Sequence, residues 1–243
     1  MLQIGFKTHK GQVRSHNEDA CFIIPEHNIY VVADGVGGNS GGEIASRTAV
    51  YEITQFVHAN PLAEEATASQ IKAYFTECLS KVNDEIYKKS DRRNENSGMA
   101  TTVVVCCIRG GYAYIAHVGD SRAYICRNGA LTQITEDHTY VNALVKAGII
   151  SAEEAVSHEQ RHMITRALGA EEAVSPDFKQ VEIRENDIIL LCTDGLFGEV
   201  EEPLITEILS SSRYTMSEMA GGLVDEANKS GGADNITVIC LRI

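Results

Sequence analysis

The sequence predicts an α+β fold, with antiparallel sheets covered by helix pairs on both outer faces. Three observations carry this. Apolar runs of strand length open the chain, recur in its middle and close it, with two helical stretches after the first set and two more before the last strand. Gly110-Gly111 and Asn128-Gly129 lie between β-branched runs, and such dipeptides favour tight hairpins, which join antiparallel neighbours. A doubly wound parallel sheet would instead alternate strand and helix along the chain.

The elements follow in order. Residues 2–6, 20–24 and 28–33 read as strands. Residues 42–58 read as a helix with Ala45, Ala49, Ile53 and Phe56 on one face. Residues 64–89 form a second helix, with Ile71, Phe75, Cys78, Val82 and Ile86 at helical spacing. A polar loop spans 90–96. Strands then occupy 99–109, 112–118 and 121–127. Residues 138–170 are helix-prone, are interrupted at Gly148, and separate strands from strands, as a lid or flap would. Strands resume at 178–183 and 187–193. Helices are expected at 202–211 and 215–229, the second with Met216, Met219, Leu223, Val224 and Ala227 on one face. A last strand covers 235–242.

At 243 residues the chain can bury a sizeable core. Its net charge of −13 argues against nucleic acid or an anionic membrane as partner. The seven cysteines show no C-x-x-C spacing, and most sit inside apolar runs. They read as small core residues of a protein in a reducing cytosol rather than as disulfides or a zinc site. No signal-peptide core opens the sequence, and no apolar run approaches the roughly 20 residues of a spanning helix. A cytoplasmic protein is expected.

Four aspartates stand at the ends of apolar runs, each beside turn residues: Asp34 before Gly35, Asp120 after Gly119, Asp194 before Gly195, and Asp234 before Asn235. The pair Glu18-Asp19 precedes a further apolar run, and Arg14 lies just upstream of it. Turn chemistry accounts for any single Asp-Gly. Six acids at strand ends are another matter: if they converge, their repulsion must be relieved by protons or cations, and hard carboxylate oxygens select Mg²⁺ or Mn²⁺. Two such ions about 3.5–4 Å apart clamp an in-line displacement at phosphorus and lower the pKa of a bridging water. Gly35, Gly37, Gly38, Gly41 and Gly42 would permit the close backbone approach this needs. Arginine binds phosphate through its planar fork.

His158-Glu159-Gln160-Arg161-His162 matches the zinc-protease pattern H-E-x-x-H. It lacks a third ligand, Thr165 stands where the extended motif has glycine, and Gln160 and Arg161 suit an exposed helix face. It is read as coincidence. No cysteine has an arginine six residues on, and G-x-x-x-x-G-K-[ST] is absent.

Eight motifs occur in the order used by the metal-dependent protein phosphatases of type 2C, and the chain resembles their short bacterial members over essentially its whole length. They are Arg14-Ser15-His16-Asn17-Glu18-Asp19-Ala20, Ala33-Asp34-Gly35-Val36-Gly37-Gly38, Gly98-Met99-Ala100-Thr101-Thr102, Gly119-Asp120-Ser121-Arg122, Asp137-His138-Thr139, Thr165-Arg166-Ala167-Leu168-Gly169, Cys192-Thr193-Asp194-Gly195-Leu196 and Asp234-Asn235-Ile236-Thr237-Val238. The resemblance implies one domain over 1–243, a four-layer α-β-β-α sandwich with a metal centre at one end, and a flap at 138–170. It implies that Asp34 bridges two metals with the Gly35 carbonyl as a further ligand. Asp194 and Asp234 would close one ion, and Glu18 and Asp19 the other, directly or through water. Asp120 would hold a weaker third ion with Asp194, and Arg14 would bind phosphate.

The implied activity is hydrolysis of phosphoserine and phosphothreonine in proteins by a metal-bridging hydroxide, with two Mn²⁺ or Mg²⁺ as cofactors. The implied partners are substrates of a Ser/Thr kinase, met by a monomer. A non-catalytic relative that binds phosphoproteins or kinases would have lost ligands, and all the acids are present. Three departures stand out: Val36 and Asn39 occupy positions where family members carry a histidine, and His9 stands where many bacterial members have an aspartate.

Overall fold

A computed structural model describes residues 2–37, 41–90 and 98–243. Two antiparallel sheets stack face to face. The first has the order β1-β11-β10-β7-β8, built from β1 (Gln3–His9), β11 (Ile236–Arg242), β10 (Ile188–Cys192), β7 (Arg122–Arg127) and β8 (Ala130–Gln133). The second has the order β2-β3-β5-β6-β9, from β2 (Asp19–Ile24), β3 (Ile29–Val36), β5 (Val103–Arg109), β6 (Tyr112–Val118) and β9 (Asp177–Glu182), with the short β4 (Ala100–Thr101) beside β3. Helices α1 (Gly41–Ala59) and α2 (Ala68–Lys89) cover the second sheet, and α6 (Glu202–Ser210) and α7 (Met216–Lys229) cover the first. The four layers and the helix pairs are those expected.

Both faces of the central strands are buried, which explains why they read as continuous apolar runs although the sheets are antiparallel. Side chains alternate between cores with the period of two that a strand imposes. In β5, Val103, Val105 and Cys107 face α1 and α2, while Val104 and Cys106 enter the layer between the sheets. In β10, Ile188, Leu190 and Cys192 face the α6–α7 side, while Ile189 and Leu191 face inward. Six of the seven cysteines are buried and none is disulfide-bonded.

Several boundaries differ from expectation. β1 runs on to His9 and β3 to Val36, because each pairs along its full length: β1 with β11, and the end of β3 with β4. Asp34 therefore lies inside a strand rather than beyond it. The run expected at 99–109 breaks at Thr102. The second helix starts at Ala68, where Thr67 and Gln70 form a capping box. A four-residue helix, α5 (Asp194–Phe197), was not anticipated. Within 138–170 only α3 (Tyr140–Lys146) and α4 (Ala152–Val156) are helical. The H-E-x-x-H residues fall in turns after α4, not on a helix as read from sequence. Most of the polar loop at 90–96, with Gly38 and Asn39, lies outside the described residues.

Sheet register brings one end of each sheet together. Asp19 opens β2 directly opposite Asp34 of β3. The start of β5 and the end of β6 lie at the same end, and so do His9 of β1, Ile236 of β11, Cys192 of β10 and Arg122 of β7. No helix among the described residues is long and apolar enough to cross a membrane. Leu190→Ala, a truncation at a fully buried site in a central strand, is expected to cost about 2–5 kcal/mol in urea unfolding with an unchanged m-value.

Candidate metal centre

The acids expected from sequence meet at this shared end. Asp19 is buried, with Oδ2 accepting from Thr193 Oγ1 at 2.9 Å and Oδ1 without a partner. Asp34 lies across the strand pair from it and within reach of the carboxyl of Asp194, whose Oδ1 is also buried and unpartnered. Burial, then the charges of Asp19, Asp194, Asp120 and Asp234, raises the Asp34 carboxyl well above its ordinary range. Burial likewise pushes Asp19 and Asp120 up to about 7, Asp120 with help from Asp194, and raises Asp194 and Glu18. Orphaned buried carboxylate oxygens and mutually raised pKa values are what an acid cluster shows when it is built around cations.

Neutral side chains hold the cluster in place. Thr193 Oγ1 donates to Asp19 and accepts from the Thr237 amide at 3.0 Å. Asn235 Oδ1 accepts from the Glu18 amide at 2.7 Å, while its Nδ2 donates to the carbonyls of Lys10 and His16. The Asp34 amide donates to Thr102 Oγ1 at 3.1 Å. At Gly35 any side chain is excluded, since a Cβ there would lie 2.1 Å from the Gly42 carbonyl oxygen and 2.6 Å from that of Glu18. These supporting roles were missed from sequence, although Thr193, Asn235 and Thr102 each sit in or beside a recognised motif.

Arg14 is brought to Asp234, with Nη2 2.9 Å from Oδ2, and its charge also acts on Glu18. It is half-exposed, so its guanidinium is accessible from solvent. His9 Nδ1 accepts from the Gly11 amide at 3.0 Å, which shapes the turn packed against the Asp234 backbone. Val36 ends β3 exposed and offers no proton.

Beside the acids opens a groove of about 680 Å³ walled by Asp120, Asp194, Arg122, Phe197 and residues of 139–162. Arg122 stacks over the Phe197 ring at 3.6 Å and pairs bidentately with Asp137. His162 lines this groove. His158 and His162 lie in the turns after α4 and not on one helical turn, so the zinc-protease match has no structural counterpart.

Residues 8–226 match the family model described as protein phosphatase 2C. The chain belongs to the protein phosphatase 2C family. A serine/threonine phosphatase, stp, of Listeria monocytogenes is 38% identical over 240 residues, covering 98% of this chain and 94% of the relative. The crystal structure of serine/threonine phosphatase Stp1 from Staphylococcus aureus superposes with a TM-score of 0.92 at 34% identity, covering all of this chain and 95% of that one. A structure of the catalytic domain of the serine/threonine protein phosphatase PstP, solved in complex with two manganese ions, matches at TM-score 0.85 and 33% identity over 99% of this chain and 97% of that one.

Because the folded pKa values of Asp19 and Asp120 lie above those of the unfolded chain, these groups favour folding most at low pH. That contribution fades as pH rises through about 7. In EDTA the melting temperature should therefore fall between pH 5 and pH 8, and Mn²⁺ should restore it most strongly at the alkaline end. Calorimetry should detect proton release on Mn²⁺ binding at pH 6.

Proposed function

We propose that this protein is a metal-dependent phosphatase hydrolysing phosphoserine and phosphothreonine monoesters in proteins. The convergence of Asp19, Asp34 and Asp194 at the sheet ends, with one oxygen each of Asp19 and Asp194 buried and unpartnered, carries this reading. The residues fit two divalent ions, Mn²⁺ or Mg²⁺. Asp34 would serve both, with the Gly35 carbonyl as a further ligand; Asp194 and Asp234 would close one ion, and Glu18 and Asp19 the other. Asp120 with Asp194 would hold a weaker third. When bound, such ions supply a water of lowered pKa as nucleophile and neutralise charge on the phosphoryl oxygens.

The chain's own groups do the rest. Arg14 exchanges its contact with Asp234 for the phosphate, where its fork binds two oxygens and stabilises charge as the leaving group departs. The groove beside the acids receives the peptide carrying the phosphate. Residues 1–243 act as one catalytic domain, with 138–170 as its flap. The free, mostly buried cysteines suit a reducing cytoplasm. Substrates of a Ser/Thr kinase are the natural partners of a monomer of this kind.

Hydrolysis of a phosphopeptide should vanish in EDTA and return with Mn²⁺ or Mg²⁺; activity that survives thorough chelation would overturn the reading. Asp34→Asn should be the most damaging single substitution, with Mn²⁺ affinity lost in calorimetry alongside turnover.

Arg14→Ala is expected to lower kcat/KM on the order of 10- to 100-fold, mainly through KM, as for loss of one charge-assisted bond. Its Mn²⁺ titration should be unchanged. Asp120→Ala should fold normally, keep the two tight ions, lose a weak one, and turn over slowly.

A further inference from the structure

His138 joins the two parts of the site that must cooperate. Its backbone amide donates to the Gly119 carbonyl at 3.1 Å, and its Nδ1 accepts from the Gly119 amide at 3.0 Å. One residue thus grips the turn that presents Asp120 from both sides. The turn has little room to move otherwise. Gly119 sits at φ +100, and a Cβ there would lie 2.6 Å from the Thr102 side chain, which itself bonds Ser121 Oγ at 2.7 Å. On its other side the His138 carbonyl accepts from the Thr165 amide at 2.7 Å. Residues 138–140 and 163–165 form the paired stem of the segment over the groove, through Thr139–Ile164 and the bond from the Tyr140 amide to the Met163 carbonyl.

The hydrogen bonds also decide the chemistry of the ring. A neutral imidazole has one donor and one acceptor nitrogen. Since Nδ1 receives the Gly119 N–H, the proton is on Nε2, which faces Asp177 Oδ2 at 3.5 Å. His117 stacks on this ring at 4.7 Å and donates its own Nε2–H to the Glu136 carbonyl. His117, His138 and Asp177 bring ligand atoms close enough for a metal, but His138 could offer Nε2 to one only by giving up Gly119. Both rings are buried, and burial, followed by the neighbouring His117, holds His138 down at about 4. The ring stays neutral and keeps its acceptor.

We infer that His138 is a positioning residue whose Nδ1 fixes the Gly119–Asp120 turn and ties it to the stem of the flap. The inference rests on the proposed role of Asp120 for its effect on metal, but not for its effect on the turn. Asparagine places an oxygen near Nδ1, whereas glutamine places one near Nε2, so the two variants separate acceptor from bulk.

In metal-free protein, exchange of the Gly119 amide should quicken roughly tenfold or more in His138→Gln, as for one buried N–H left unsatisfied. His138→Asn should stay near wild type. The weak Mn²⁺ site should follow the same order in calorimetry. Equal losses in both variants would reduce His138 to packing and overturn the inference. Wild-type protein offers a check without any variant: nitrogen NMR must show His138 protonated at Nε2 and bare at Nδ1, and the reverse tautomer would overturn it. Should Asp120→Ala leave the Mn²⁺ titration unchanged while the Gly119 split persists, Asp120 loses its metal role and the positioning of the turn stands.

Discussion

Repulsion among carboxylates is the constraint around which this molecule is arranged. The pairing of β2 with β3 sets Asp19 against Asp34, a cross-strand like-charge pair that a sheet ordinarily avoids. Asp194 then adds a third carboxyl from the other sheet, within hydrogen-bonding reach of Asp34. Three acids this close, one buried and two partly so, cannot all ionise there without help, and the raised pKa values express that. A cation removes the conflict. Without metal the site therefore holds its protons more tightly than isolated carboxyls do, and it has a high demand for divalent charge, which is the condition metal-assisted phosphate chemistry requires.

Such a cluster needs a frame that does not itself respond to charge. Thr193, Thr237, Asn235 and Thr102 supply it with neutral hydrogen bonds to the acids or to their backbone. Each of these side chains is nearly or fully buried, in the sheet ends or the turns that leave them. The three packed layers behind them, between the sheets and under each helix pair, leave the frame little freedom. The acids are thus held by rigid scaffold, while the groove beside them is walled partly by the 138–170 segment, whose helices are short. The frame of the acids and the wall of the groove thus come from different parts of the fold.

Much of this was readable from residues alone, and the misses have causes. Asp34, Asp120, Asp194 and Asp234 stood out because turn residues beside apolar runs mark where strands leave a sheet. The length of β3 did not, because its last residues are held by β4, a partner far away in sequence. The 138–170 segment looked helical on both sides of Gly148 because its polar residues have good helix propensity. Its second half instead forms turns that return to the stem at 163–165, where pairing outweighs propensity. The same pairing undoes the H-E-x-x-H match, whose chemistry needs both histidines on one helical turn. His138 stands in the recognised Asp137-His138-Thr139 motif, but its role carried no signal there, since an imidazole that accepts a hydrogen bond from a distant turn looks like any other histidine in a sequence.

The sequence by itself determined the class of fold, the helix pairs, the identity of the acids and the hard cations they would select. Those follow from periodicity, turn chemistry and the oxygen donors present, all of them local properties. Only the tertiary structure decided which carboxylates face one another, which oxygens are left without partners, that Arg14 meets Asp234, and that the Asp120 turn is gripped by His138. These depend on strand register and on contacts between residues as far apart as Arg14 and Asp234. Register is settled by the packing of all three cores at once, so no local stretch of sequence contains it.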